Sequence, residues 1–154
     1  MIVIDASALV KFILKEEGWE RVYKILSTRV VSVDHIVKEA ANAIWKHCSI
    51  HKAHPPDVTL KEFQLLKKII DEKLVLLESE LKYLDKAFEI AVENSIPVYD
   101  ALYIAQAITR NIPLATSDKR QAEIAEKQGA SNLHTLKPVE NAESKLAQPQ
   151  TTVI

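Results

Sequence analysis

The chain has 154 residues, 47% of them hydrophobic, with 20 Lys and Arg against 21 Asp and Glu for a formal net charge of −1. That length carries one core rather than two, the hydrophobic share excludes wholesale disorder, and the charge balance excludes a protein that grips nucleic acid by bulk positive charge, though not a local basic patch. With 2 Gly and 6 Pro, collagen-like and turn-dense all-β architectures drop out, and the lone Cys48 forbids an internal disulfide.

Ile2-Val3-Ile4 is short, apolar and β-branched, and reads as a buried strand. It runs straight into Asp5 with no signal-peptide pattern, and no apolar run nears the roughly 18–20 residues that span a bilayer. A soluble, cytoplasmic domain is therefore expected. Ala6 to Lys15 and Trp19 to Leu26 read as two helices broken near Gly18, and Val30 to Val33 as a second strand. Asp34 is placed to cap a helix from His35 to about Ile50, which Pro55-Pro56 stops. Thr59-Leu60-Lys61-Glu62 has the form of a capping box, followed by Phe63, Leu66, Ile69 and Ile70 at helical spacing. Leu74 to Leu77 reads as a third strand. Helices from about Leu81 to Asn94 and Asp100 to Thr109 follow, separated by Ile96-Pro97. Pro113 to Thr116 is a fourth strand, Lys119 to Gln128 a helix ended by Gly129, and Leu133-His134 a short fifth strand.

Strands separated by helices predict a three-layer α/β/α sandwich around a mostly parallel five-stranded sheet. Such sheets place ligands beyond the carboxyl ends of their strands, where strand order reverses. The domain is expected over 1–137, and the polar stretch 138–154, which holds Pro149, as a disordered tail.

Asp5 follows the first strand directly, and Asp118 stands two residues beyond Thr116 at the end of the fourth. Glu39 lies early in the helix after the second strand, and Asp100 opens the helix that carries Tyr103. All four start near the carboxyl edge of the sheet. Four acids converging there would form an oxygen-rich pocket suited to a hard divalent cation such as Mg²⁺ or Mn²⁺. The competing reading is that Asp5, Asp100 and Asp118 serve only as helix N-caps.

Ile4-Asp5-Ala6-Ser7-Ala8-Leu9-Val10, then Glu39 with Asn42-Ala43-Ile44, then Val98-Tyr99-Asp100-Ala101-Leu102-Tyr103-Ile104-Ala105, then Ala115-Thr116-Ser117-Asp118 resemble the PIN domain. More narrowly, they resemble the toxin nuclease of VapBC-type toxin–antitoxin pairs. The resemblance implies that Asp5, Glu39, Asp100 and Asp118 surround Mg²⁺ or Mn²⁺, with Thr116 and Ser7 supporting the site. It also implies an endoribonuclease that cuts structured RNA such as tRNA, a homodimeric state, and a small antitoxin whose Arg or Lys reaches the acids. Phosphodiester cleavage needs an activated water and neutralised phosphoryl charge, both of which such an ion supplies. Two alternatives keep the fold: a PIN-like scaffold that only binds RNA or protein, and an RNA-processing nuclease that is not a toxin. An aspartyl-phosphate phosphatase of the haloacid dehalogenase type would need a second Asp two residues after Asp5, where Ser7 stands.

Lys11, Lys15, Arg110, Lys119 and Arg120 are the candidate RNA-binding cations, Lys119 and Arg120 foremost because they directly follow Asp118. His47, His51 and His54 with Cys48 could form a Zn²⁺ site on one helix face, but solvent-exposed or dimer-contact histidines are the expectation. Trp19, Tyr23 and Trp45 belong either to the core or to an apolar surface covered by a second chain.

Overall fold

The alternation of short β-branched runs with helices builds a parallel sheet in the order β3-β2-β1-β4-β5, seen in a computed structural model that describes residues 1–130 and the backbone of His134 and Thr135. The strands are β1 (Ile2–Ile4), β2 (Val30–Val33), β3 (Val75–Glu78), β4 (Leu114–Thr116) and the two-residue β5 (His134–Thr135). Between them lie α1 (Ala6–Ile13), α2 (Trp19–Leu26), α3 (His35–Ser49), α4 (Pro56–Asp71), α5 (Leu84–Asn94), α6 (Val98–Arg110) and α7 (Lys119–Lys127). Every strand pair is parallel. The chain builds outward from β1 to β3, then returns to the other side of β1 for β4 and β5. Right-handed crossovers then force α1–α4 onto one face and α5–α7 onto the other. The strand order reverses between β1 and β4, and both Asp5 and Asp118 emerge there.

Val3, Ile4, Val30, Val31, Val33, Leu114 and Ala115 are all buried, as strands covered on both faces require. The helix over the middle of the sheet is α6, whose residues from Ala101 to Ala107 are buried without interruption. A helix apolar all round has no solvent face to offer, and this one lies between the sheet and α5 and α7. Its single interior amide, Gln106, donates to Glu78 Oε2 at 3.0 Å. Tyr83 and Arg110 donate to the same carboxylate, so the end of β3 is tied to α6.

Several boundaries differ from the sequence expectation, each for a local reason. The helix after Pro55 starts at Pro56, because Pro fits the first helical position and Thr59 then falls inside the helix, where its hydroxyl donates to the Pro55 carbonyl. Glu62 consequently has no capping role and bonds His54 instead. Asp34 precedes α3 without a side-chain cap; its Oδ1 accepts from Glu80 N at 3.0 Å. The third strand shifts by one residue to include Glu78, and a 3₁₀ turn over Glu80–Lys82 comes before α5. Pro97 lets α6 begin at Val98, so Asp100 sits in the first turn and is not its cap. Gly129 follows the end of α7 at φ +85°, a left-handed conformation that glycine adopts without steric cost. The expected tail 138–154 and the end of the domain at 137 lie outside the described residues. Among the described residues, no helix is long and apolar enough to cross a membrane.

Ile104 is fully buried at the centre of α6, whereas Leu81 is 73% exposed. Ile104→Ala should cost about 2–5 kcal/mol and lower the melting temperature by about 5–20 °C. Leu81→Ala should change stability by less than about 0.5 kcal/mol. Calorimetric melts of the two variants check both values.

Candidate active site

Asp5 directly follows β1 and is the N-cap of α1. The register that sets Ile4 opposite Ala115 brings it beside Thr116. Thr116 Oγ1 donates to Asp5 Oδ2 at 2.6 Å, and Ala8 N donates to Oδ1 at 2.9 Å. Ser7 Oγ lies 2.9 and 2.8 Å from the two carboxylate oxygens, which share its one proton. Both hydroxyls are themselves held: Ser7 Oγ accepts from Ser117 N, and Thr116 Oγ1 from Asp118 N. Burial pushes the Asp5 carboxyl up to about 7; its hydrogen bonds oppose the shift and the neighbouring Glu39 adds to it.

Glu39, one turn into α3, receives the Tyr103 hydroxyl on Oε2 at 2.6 Å. Burial raises its carboxyl, while this bond and the nearby His35 work against the rise. Asp100 is half-buried and raised to about 6, first by desolvation and then by repulsion from Glu39 and Asp118. Its carboxylate accepts no hydrogen bond among the described residues. Asp118 caps α7 by accepting from Gln121 N at 2.8 Å, and Gln121 Nε2 reaches back to the Asp100 carbonyl at 3.0 Å. A small cleft of about 170 Å³ is lined there by Asp100, Asp118, Arg120 and Gln121 with Ile96 and Pro97. Beside Glu39 opens a larger one of about 470 Å³.

The four acids thus share one edge and repel one another, without closing into a ready cage. Among the described residues, no three His, Cys, Asp or Glu side chains stand together in an arrangement that could hold a metal. Asp5 and Asp118 are turned toward their caps, and Glu39 toward Tyr103. The donor set still fits a hard divalent cation: it is all oxygen, anionic, and its charge is opposed by desolvation and mutual repulsion that a cation would relieve. The cap reading is correct for Asp5 and Asp118 in geometry, and wrong for Asp100.

Of the candidate RNA-binding cations, only Lys119 and Arg120 lie at this edge. Arg120 donates to the Ser95 carbonyl at 2.9 Å, and Lys119 pairs with Glu123 at 3.7 Å. Lys11 is buried, with Nζ on the Glu17 carbonyl at 3.0 Å. Lys15 lies beyond the far end of α1, its Nζ over the Phe12 and Trp19 rings at 4.3 and 3.7 Å. Arg110 ends α6, about 15 Å from Asp100 along the helix, and is committed to Glu78. These three do not reach the acids, because α1 and α6 both start at the acidic edge and run away from it. The histidines do not share one helix face either. α3 ends at Ser49, and His54 comes back on the following loop, with Nδ1 2.6 Å from Glu62 Oε1 and its ring 4.7 Å from that of His47. Tyr23 and Trp45 are exposed, at 57% and 52%, and Trp19 is half-buried.

Three contributors escaped the sequence reading. Tyr103 stands in the recognised motif, but no spacing shows that its hydroxyl meets Glu39 from another element. Gln121 reads as an ordinary helix residue. His35, 3.9 Å from Glu39 and 3.3 Å from Glu80, stacks on Tyr99, with centroids 5.9 Å apart; an aromatic next to the acidic motif was the available signal.

A doubly wound parallel sheet with carboxylates gathered at its topological switch point defines the class. The PIN domain family model matches residues 2–127, and the chain belongs to that family. It is 28% identical to ribonuclease VapC3 of Pyrobaculum aerophilum over 125 residues, 79% of this chain and 92% of that protein. It is 27% identical over 135 residues to exonuclease VapC9 of the same organism, covering 87% and 91%. Among solved structures it superposes on PAE2754 from Pyrobaculum aerophilum with a TM-score of 0.61 at 24% identity, over 86% of this chain and 87% of that one. FitAcB from Neisseria gonorrhoeae gives 0.53 at 16% identity over 88% and 98%. Those two likenesses establish the fold alone.

The Asp100 carboxyl is raised from 3.8 to about 6, so its favourable contribution is full below pH 3.8 and is lost as pH rises through about 6. Asp100→Asn removes that loss and disturbs no cap. In EDTA at physiological ionic strength, the variant should therefore melt above the parent at pH 8, by a few degrees, and the gap should shrink toward pH 4. Melts across this range check the sign.

Proposed function

We propose that this chain is a metal-dependent endoribonuclease, the toxin of a VapBC-type toxin–antitoxin pair, with Asp5, Glu39, Asp100 and Asp118 holding Mg²⁺ or Mn²⁺. The observation that carries this reading is the mutual electrostatic pressure of Asp5, Glu39, Asp100 and Asp118 at the switch point of the sheet. A purely structural edge gains nothing from acids set this close, because the raised carboxyls of Asp5, Glu39 and Asp100 cost stability at neutral pH. A bound divalent cation supplies charge neutralisation for the phosphoryl oxygens and activation of water. The protein's own part is positional. Ser7 and Thr116 fix Asp5, Tyr103 fixes Glu39, and Gln121 ties Asp118 to the first turn of α6. Lys119 and Arg120 at the start of α7 hold phosphates of the substrate strand, which is structured RNA such as tRNA.

The same anionic edge is a receptor for a guanidinium or ammonium group, which supports inhibition by an Arg or Lys of a small antitoxin. Exposed Phe88 and Val92 on α5, 59% and 66% accessible, support burial by a second copy of the chain.

Total RNA incubated with the protein should be cut in Mg²⁺ and left intact in EDTA, and Asp5→Asn or Asp100→Asn should cut at least about 10- to 100-fold more slowly. Cleavage that persists in EDTA would overturn the metal mechanism. The relatives are named both ribonuclease and exonuclease, so a circular RNA should also be included; its linearisation identifies internal cutting. Light scattering at micromolar concentration should give twice the mass of the chain.

A further inference from the structure

We propose that the cleft between α3 and the first turn of α6 is a subsite for one unpaired nucleotide, its base stacked on Tyr99 and its flanking phosphates held by Lys38 and Lys46. This deepens the nuclease reading and rests on it. The cleft has a volume of about 470 Å³ and is lined by His35, Lys38, Glu39, Asn42, Lys46 and Tyr99 among others. Because Glu39 belongs both to its wall and to the acidic edge, a nucleotide seated here adjoins the position where a phosphodiester would be cut.

The stacking platform is already assembled. The Tyr99 and His35 rings lie at 23° to each other with centroids 5.9 Å apart, and His35 is anchored by Glu80 at 3.3 Å. His35 backs one side of Tyr99, which is nevertheless 48% exposed. A held aromatic of this kind suits a base, since every base has a π-face. The cations fit the same ligand. Lys67, Lys68 and Lys86 on other helices each pair with a carboxylate three or four residues away. Lys38 and Lys46 are exposed and form no ion pair among the described residues, and Glu39 is the only acid on α3. They stand eight residues apart, about 12 Å along the helix, and their flexible four-carbon stems let the two ammonium groups lean together onto the phosphates on either side of one nucleotide. Asn42 lies between them, with an amide that can both donate to and accept from a base edge. A paired base cannot splay into such a cleft, so the subsite selects loops and single strands over duplex.

The test uses a short fluorescein-labelled single-stranded RNA in EDTA, so that binding is read without cleavage, and the same RNA annealed to its complement. Tyr99→Ala should weaken binding of the single strand about 5- to 150-fold and leave the duplex unaffected, with Tyr99→Phe close to the parent. The Lys38→Ala/Lys46→Ala pair should lower the slope of log affinity against log salt by about 1.4, at about 0.7 per phosphate contact. All three residues are exposed, so melting temperatures should match the parent. Parent-like single-strand affinity in Tyr99→Ala, or an unchanged salt slope in the lysine pair, overturns the subsite while leaving the nuclease reading intact if the parent still cuts RNA in Mg²⁺. Loss of a co-purifying protein from Tyr99→Ala with RNA affinity unchanged reassigns the cleft to a protein partner. A parent that neither binds nor cuts RNA removes both readings.

Discussion

The acidic edge depends on how the Asp5 carboxylate is held. Hydrogen bonds from Thr116, Ser7 and Ala8 converge on its two oxygens, so one side chain joins the end of β1, the start of α1 and the end of β4. The two hydroxyls relay the connection to Ser117 N and Asp118 N, which fixes the entry to α7 as well. The three-residue strands β1 and β4 have few ladder bonds of their own at this junction. The clasp supplies what the ladder lacks, and it does so with a group that burial pushes toward its neutral form. Local order and local strain therefore come from the same atom pair.

How much of this was legible depends on distance along the chain. Strand and helix existence followed from β-branched runs and helical periodicity, and the four acids could be placed because each sits within a few residues of a strand end. Prolines shifted the boundaries: Pro55-Pro56 and Pro97 start helices earlier than the Thr59 box or Asp100 suggested. Cations were harder to read, because a residue named near an acid in sequence is carried about 1.5 Å per position away from it by a helix. Lys15 and Arg110 are cases in point, and Lys11 turns inward onto the Glu17 carbonyl. Contacts between distant elements, Tyr103 with Glu39 or Gln121 with Asp100, left no local pattern at all.

The core and the edge pull in opposite directions. Interdigitated Val, Ile, Leu and Ala side chains fill both faces of the sheet, while desolvation and repulsion at the carboxyl edge subtract from the stability they provide. Such a balance is expected where a site must meet a cation or a cationic side chain: the electrostatic energy stored in the free protein is released on binding. It also assigns a purpose to the uncharged donors Ser7, Thr116 and Tyr103, which hold carboxylates in place without neutralising them.

The uninterrupted burial of Ala101 to Ala107 sets two clocks side by side. Amides in the middle of α6 have no solvent face and should exchange with water only when the domain opens as a whole, whereas the half-exposed first turn, held by Gln121 at the Asp100 carbonyl, should open at smaller cost. Asp100 stands on that first turn, with its backbone N–H on the Pro97 carbonyl. Tyr103, one turn further, lies in the slow region and tethers Glu39 to it. Two acids facing the same space are thus held differently: the Asp100 carboxylate, with no hydrogen bond among the described residues, is free to turn toward an arriving ligand, while Glu39 stays tied to the most deeply buried part of the molecule.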